Sequence, residues 1–197
     1  APAWDPKGVL RVHGLKLLIL FENLEEYNFI IKLHPATLAS KKSRHYDFYT
    51  GGLDWRKEIA DFMDKSKSNN LFFPFIESIN PLFKISELLI TDFSGVSLGF
   101  CLEDKPIICL DCHEFQETLS KWGSDPNQSF ENNLFNNGRD AATIVKNLEE
   151  LYNAVKTVIS NPEEKAVERE LIRTRLLYNR GQGTLSFLKV MNLILQN

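Results

Sequence analysis

Residues 88–100 read LLITDFSGVSLGF. An apolar run suited to a strand stops at an acid, and two serines then bracket Gly95 and Val96. Leu88 to Thr91 favour a strand, while the residues from Ser94 onward suit the first turn of a helix. The first N–H groups of a helix lack internal partners, and its dipole places about half a positive charge there. Ser94 and Ser97 add hydroxyls without bulk, and Gly95 lets a ligand come close to the backbone, so the turn can hold a phosphate. The plainer reading is that Asp92 or Ser94 caps the helix. Both readings use the same geometry and do not exclude each other.

Working outward, NFIIKL, residues 28–33, reads as a short buried strand that ends at His34-Pro35, since Pro35 cannot join a ladder,. By alternation Lys32 and His34 share one side and Leu33 takes the other. A histidine there can bind phosphate as a cation or serve as an acid toward a leaving phosphate. Its plainer fate is a hydrogen bond to backbone. NLFFPF, 70–75, ELLIT, 87–91, and KPIICLD, 105–111, read as further strands. Helices are expected over 9–26, over 55–67 behind an Asp54 cap, over 81–86 opened by Asn80-Pro81, over 94–104, over 139–159, over 162–178 with Pro162 in its first turn, and over 184–195 as an amphipathic segment,. The polar stretch 112–138 reads as a long loop with one short strand at most.

Short apolar strands alternating with helices predict an α/β domain: a parallel sheet with helices on both faces. Ligands of such sheets sit outside the carboxyl ends of the strands. KLHP and TDFSG fall at two of those ends.

Composition narrows the partners. Lys and Arg number 23 against 26 Asp and Glu, a net charge of −3, which argues against nucleic acid,. Hydrophobic residues make up 43% of the chain, enough for one packed domain over 1–197,. No run approaches the roughly 18 apolar residues of a membrane span. APAWDPKG carries no signal-peptide pattern and no initiator Met, so a fragment or processed product is expected,. Lys41, Lys42, Arg44 and His45 form a basic cluster; a solvated face is the ordinary reading and contact with a membrane surface the rarer one,.

Cys109-Leu-Asp-Cys112-His113 matches the short haem-attachment pattern,. Cys109, however, lies inside an apolar strand, where cysteine packs as a small hydrophobe. No cofactor and no metal are expected.

The two strand-end motifs, with INPLFKISELLITDFSGVSLGFCLEDKPIICLD between and after them, resemble the CDP-glycerol glycerophosphotransferase family, the teichoic acid polymerases and primases. Phe93 and Gly95 stand where that family has a tyrosine and a second serine. The resemblance implies a Rossmann-like domain, the C-terminal, donor-binding half of a GT-B enzyme, closed by helices at about 139–197. It implies transfer of glycerol phosphate from CDP-glycerol to a polyol-phosphate acceptor at the inner face of the plasma membrane. On that basis His34 is the catalytic contact to the donor pyrophosphate, and Lys32 lies beside it. Thr91, Asp92, Ser94, Gly95, Val96 and Ser97 form the donor turn, and Asp111 faces the glycerol or ribose. The partner it implies is an N-terminal GT-B domain, without which this chain alone is expected to have little transferase activity. The competing readings are a nucleotide-sugar glycosyltransferase or UDP-N-acetylglucosamine 2-epimerase, and a non-catalytic docking domain of the same fold. Epimerases usually carry T-D-S-G-G at the turn.

Overall fold

The computed structural model describes residues 9–44, 46–74, 76, 78–92, 94–111, 138–176 and 181–195. The chain begins with α1 (Val9–His13) and α2 (Lys16–Glu22). The sequence suggested one helix over 9–26; Gly14, at φ +51°, breaks it. A left-handed residue ends α1, and glycine takes that conformation without a steric cost.

Strand β1 (Phe29–Ile30) leads through His34 into a 3-10 turn (Pro35–Leu38), which is followed by α3 (Tyr46–Thr50) and α4 (Trp55–Lys65). Asp54 caps α4 as expected, its Oδ1 accepting the Lys57 N–H at 3.3 Å. Ile59 is fully buried, with Phe62 and Met63 packed beside it. Next come β2 (Leu71–Phe72), α5 (Asn80–Ile85), β3 (Leu89–Thr91), α6 (Val96–Cys101) and β4 (Ile107–Leu110). Each lies within its predicted stretch and is shorter, except that α5 starts one residue early, at Asn80.

The expected helix over 139–159 is corrected. It opens as strand β5 (Ala142–Val145), and helix α7 (Leu148–Ser160) follows only after Asn147, whose side chain accepts the Glu150 N–H at 2.8 Å. Thr143, Ile144 and Val145 are β-branched and lie parallel to β4, so sheet pairing overrides the helical pattern,. Helix α8 (Ala166–Leu176) begins four residues after Pro162. Helix α9 (Gly183–Leu195) has no buried residue; Leu185, Phe187, Leu193 and Leu195 are each more than half exposed, so its apolar side is not turned into this core. The loop expected over 112–138 lies almost wholly outside the described residues.

Among the described residues all strand pairing is parallel, with β1 beside β2 and the order β3-β4-β5 in the second sheet. Strand β4 shows why both faces must be covered. Ile107 and Cys109 enter one core with Phe83, Phe100 and Ile172, while Ile108 and Leu110 enter another with Leu17, Leu24, Leu151 and Val155. A third core, of Leu10, Leu18, Leu33, Trp55, Ile59 and Leu71, surrounds the β1–β2 pair. The result is a Rossmann-like α/β arrangement, as the sequence indicated. Buried Asn70 ties its parts together, its amide donating to the carbonyls of Phe21, Leu24 and Tyr27.

At the far end of the sheet from the strand mouths, Asp104 at φ +57° pairs with Arg169 at 3.1 Å and Arg173 at 2.8 Å. That clamp fixes α8 against the turn between α6 and β4.

Candidate functional site

At the end of β1 the expected alternation holds. Leu33 is buried in the core, and Lys32 and His34 on either side of it are half-buried. Proline at 35 starts the 3-10 turn, and His34 caps it, its Nδ1 accepting the Ala36 N–H at 3.1 Å. With Nδ1 an acceptor, the proton of the neutral ring sits on Nε2. Burial, with the charge of Lys32 added, lowers the affinity of His34 for a second proton. The ring is therefore a neutral Nε2–H donor at pH 7 rather than a cation. Lys32 Nζ donates to the Leu33 carbonyl at 3.2 Å.

At the end of β3, Thr91 and Asp92 are almost fully buried, and neither the hydroxyl nor either carboxylate oxygen has a hydrogen-bond partner among the described residues. Burial pushes Asp92 up to about 7. The N–H groups of Asp92 and Val9 oppose this from nearby, without reaching either oxygen in hydrogen-bond geometry. An unpaired buried polar group costs about 1–3 kcal/mol, so two adjacent ones mark a place where folding alone does not explain the residues. The Asp92 carbonyl is held from β4 by the Cys109 thiol at 3.1 Å. Cys109 itself is buried in β4, as the packing reading has it; Cys112 and His113 lie outside the described residues.

The turn that follows is stitched internally. Ser94 Oγ accepts the Val96 N–H at 3.3 Å, and Ser97 Oγ donates to the Ser94 carbonyl at 2.7 Å. Ser97 is buried, and a Cβ built on Gly138 would overlap its side chain, so Ser97 supports the turn from beneath. Gly95 is exposed at φ −62°, and a Cβ there would meet nothing within 4 Å. Neither backbone conformation nor packing demands glycine at this position; its effect is to leave the outer side of the turn uncovered.

Asp111 directly follows β4 and is held by Arg139, each carboxylate oxygen lying 3.5 Å from a guanidinium nitrogen. Arg139, just before β5, is the residue sequence reasoning missed. The signal available was weak: an Arg-Asp pair after a glycine, at the end of a polar stretch.

A cavity of about 540 Å³ separates the two sheets. Phe29, Ile31, Leu88 and Ile90 line it, together with Lys32 from the first motif, Thr91 from the second and, before the strands, Glu26, Asn28 and Glu87. Thr91 pairs in register with Cys109, which brings Asp92 and Asp111 to neighbouring strand ends. His34 follows Lys32 by two residues and does not itself line the cavity. Among the described residues no cluster of three His, Cys, Asp or Glu side chains could hold a metal ion.

Parallel strands with helices around them, and polar residues beyond the carboxyl ends of β1, β3 and β4, define a domain of the Rossmann-like α/β class. Within that class, the chain matches the model of the CDP-Glycerol:Poly(glycerophosphate) glycerophosphotransferase family over residues 13–196 and belongs to that family. It is thus a transferase-family protein whose family activity moves glycerol phosphate from CDP-glycerol. No curated protein and no solved structure matches the chain.

Proposed function

We propose that this chain is the donor-binding half of an enzyme that extends a teichoic-acid-like polymer. The acceptor hydroxyl attacks the phosphorus that carries the glycerol of CDP-glycerol. The bond from that phosphorus to the bridging pyrophosphate oxygen breaks, and CMP leaves while the hydroxyl proton is lost. His34 donates its Nε2–H to the pyrophosphate and offsets charge on the departing CMP. Lys32 adds a positive charge beside it. Thr91 and Asp92 back the donor turn, Ser94, Gly95 and Val96 present its open side, and Ser97 holds it from below. Asp111, oriented by Arg139, accepts a hydroxyl of the glycerol or ribose.

One observation carries this reading: Lys32, just beyond β1, and Thr91, the last residue of β3, come from motifs some sixty residues apart and line the same cavity. With it go a GT-B arrangement, an N-terminal partner domain supplying the acceptor side, and peripheral work at the inner membrane face. Among the described residues no helix is long and apolar enough to cross a membrane.

The test is calorimetric titration of the chain with CDP-glycerol, CDP, CMP and UDP, repeated with His34→Ala and Ser94→Ala. Cytidine diphosphates should bind, and each substitution should weaken them about tenfold, the loss of one charge-assisted hydrogen bond. Preference for UDP would move the protein to nucleotide-sugar chemistry, and a folded chain that binds no nucleotide would leave a docking domain.

A further inference from the structure

Phe29, Ile30 and Ile31 are apolar in succession, as are Leu88, Leu89 and Ile90, the pattern of strands covered on both faces,. In the structure all six are only half-buried, and all six line the 540 Å³ cavity. Asn28 and Glu87, ahead of β1 and β3, line it too, as do Lys32 and Thr91 at the other ends. The cavity therefore runs the length of both strands.

The backbone shows the same opening. In β1 the N–H groups of Phe29 and Ile31 donate to the carbonyls of Asn70 and Phe72, on the β2 side. In β3 the Leu89 N–H donates to the Pro106 carbonyl at 3.2 Å, on the β4 side. Bonding direction alternates along a strand, so the N–H and C=O groups of Ile30 and Ile90 point to the opposite edges, toward the cavity. Among the described residues neither of these edges pairs with a strand. Two unpaired edges across an apolar space are a template for pairing, and closing the space would also bury the six side chains. The product is one five-stranded sheet in the order β2-β1-β3-β4-β5, a doubly wound order that reverses between β1 and β3. KLHP and TDFSG then stand side by side over that reversal.

We propose that this structure is the open state of a two-state sheet, and that a diphosphate held between KLHP and TDFSG closes β1 onto β3. The inference deepens the donor-binding reading and rests on it for the ligand that drives closure. A ligand touching both motifs binds the closed state better and shifts the equilibrium by that difference in affinity.

The test is NMR of the isotope-labelled chain, free and with CDP-glycerol or inorganic pyrophosphate, with calorimetry to show binding. The Ile30 and Ile90 amides should exchange fast in the free chain and about tenfold slower with either ligand, each having gained a backbone hydrogen bond. Nuclear Overhauser effects between the β1 and β3 backbones should appear at the same time. Ile30→Pro removes the N–H that closure needs, at an edge position where the open state tolerates proline. It should weaken CDP-glycerol about tenfold and abolish the β1–β3 effects. Circular dichroism checks that it folds, and if it does not, the wild-type spectra decide alone. CDP-glycerol that binds without slowing these amides, or binds equally to a folded Ile30→Pro chain, overturns the closure and leaves the donor reading standing. Amides already slow in the free chain, with β1–β3 effects present, overturn it as well. Closure by pyrophosphate in a chain that binds no CDP-glycerol keeps the switch and overturns the donor reading, and no closure by either ligand overturns the switch.

Discussion

Strands β4 and β1 belong to the same fold and are built differently. All four residues of β4 are at most 1% exposed, both its edges are paired, and its two faces enter separate cores. β1 has two residues, both half-buried, and pairs only with β2, through N–H bonds from Phe29 and Ile31 at 2.7 and 2.8 Å. Its opposite side faces the 540 Å³ cavity. The β4 region fixes Asp92 and Asp111 in place, and the looser β1 region leaves the space beside Lys32. Sites need both: groups held in register, and a volume the core has not filled.

The comparison is broken or sharpened most strongly by paired truncations. Ile108→Ala should cost about 4 kcal/mol, because a fully buried side chain leaves a void in close-packed surroundings,. Ile30→Ala, beside an existing cavity, should cost only about 1 kcal/mol,. Urea denaturation measures both, and equal costs would erase the distinction between the halves. Next in size, Gly138→Ala should lose about 3 kcal/mol in the same assay, since the new methyl must displace Ser97 and with it the support of the turn,.

Asp92 gives a pH-dependent signature. Its carboxyl titrates near 3.8 when unfolded and about 7 when folded. The folded state thus holds a proton that the unfolded state has released, and stability falls as pH rises from about 4 to 7. The shift corresponds to about 4 kcal/mol. Asp92→Asn should flatten that slope and be about 2 kcal/mol more stable than the wild type at pH 8, the rest being lost because the amide is also buried without partners. Parallel pH profiles for the two proteins would show that Asp92 is solvated after all. The smallest expected effect concerns His34. Because its pKa is lowered, binding that depends on the neutral Nε2–H should not strengthen as pH falls from 8 toward 6.5, whereas binding by an imidazolium would. Titrating CDP-glycerol across the range separates the two.

Much of this was legible in the residues themselves. Consecutive apolar runs located the strands up to β4, Asp54 and Pro35 marked a helix start and a strand end, and KLHP and TDFSG fell where parallel strands open,. The misreading of 142–145 has a local cause: Ala142 to Val145 offers an apolar pattern that suits a helix or a strand, and only the neighbouring β4 decides between them,. His34 met its plainer reading, since its Nδ1 accepts the Ala36 N–H and caps the backbone.

What the sequence determined by itself was the class of fold, the first four strands in order and the motifs that place the chain in its family, because strand, turn and cap preferences act over a few residues. The rest came from pairings that no local pattern encodes. Arg139 reaches Asp111 across 28 positions, and Arg169 reaches Asp104 across 65. Ser97 is buried against Gly138, and Asp92 is raised because its surroundings bury it. Burial and electrostatic environment belong to the packed assembly of distant segments, and so these decisions were made by the tertiary structure.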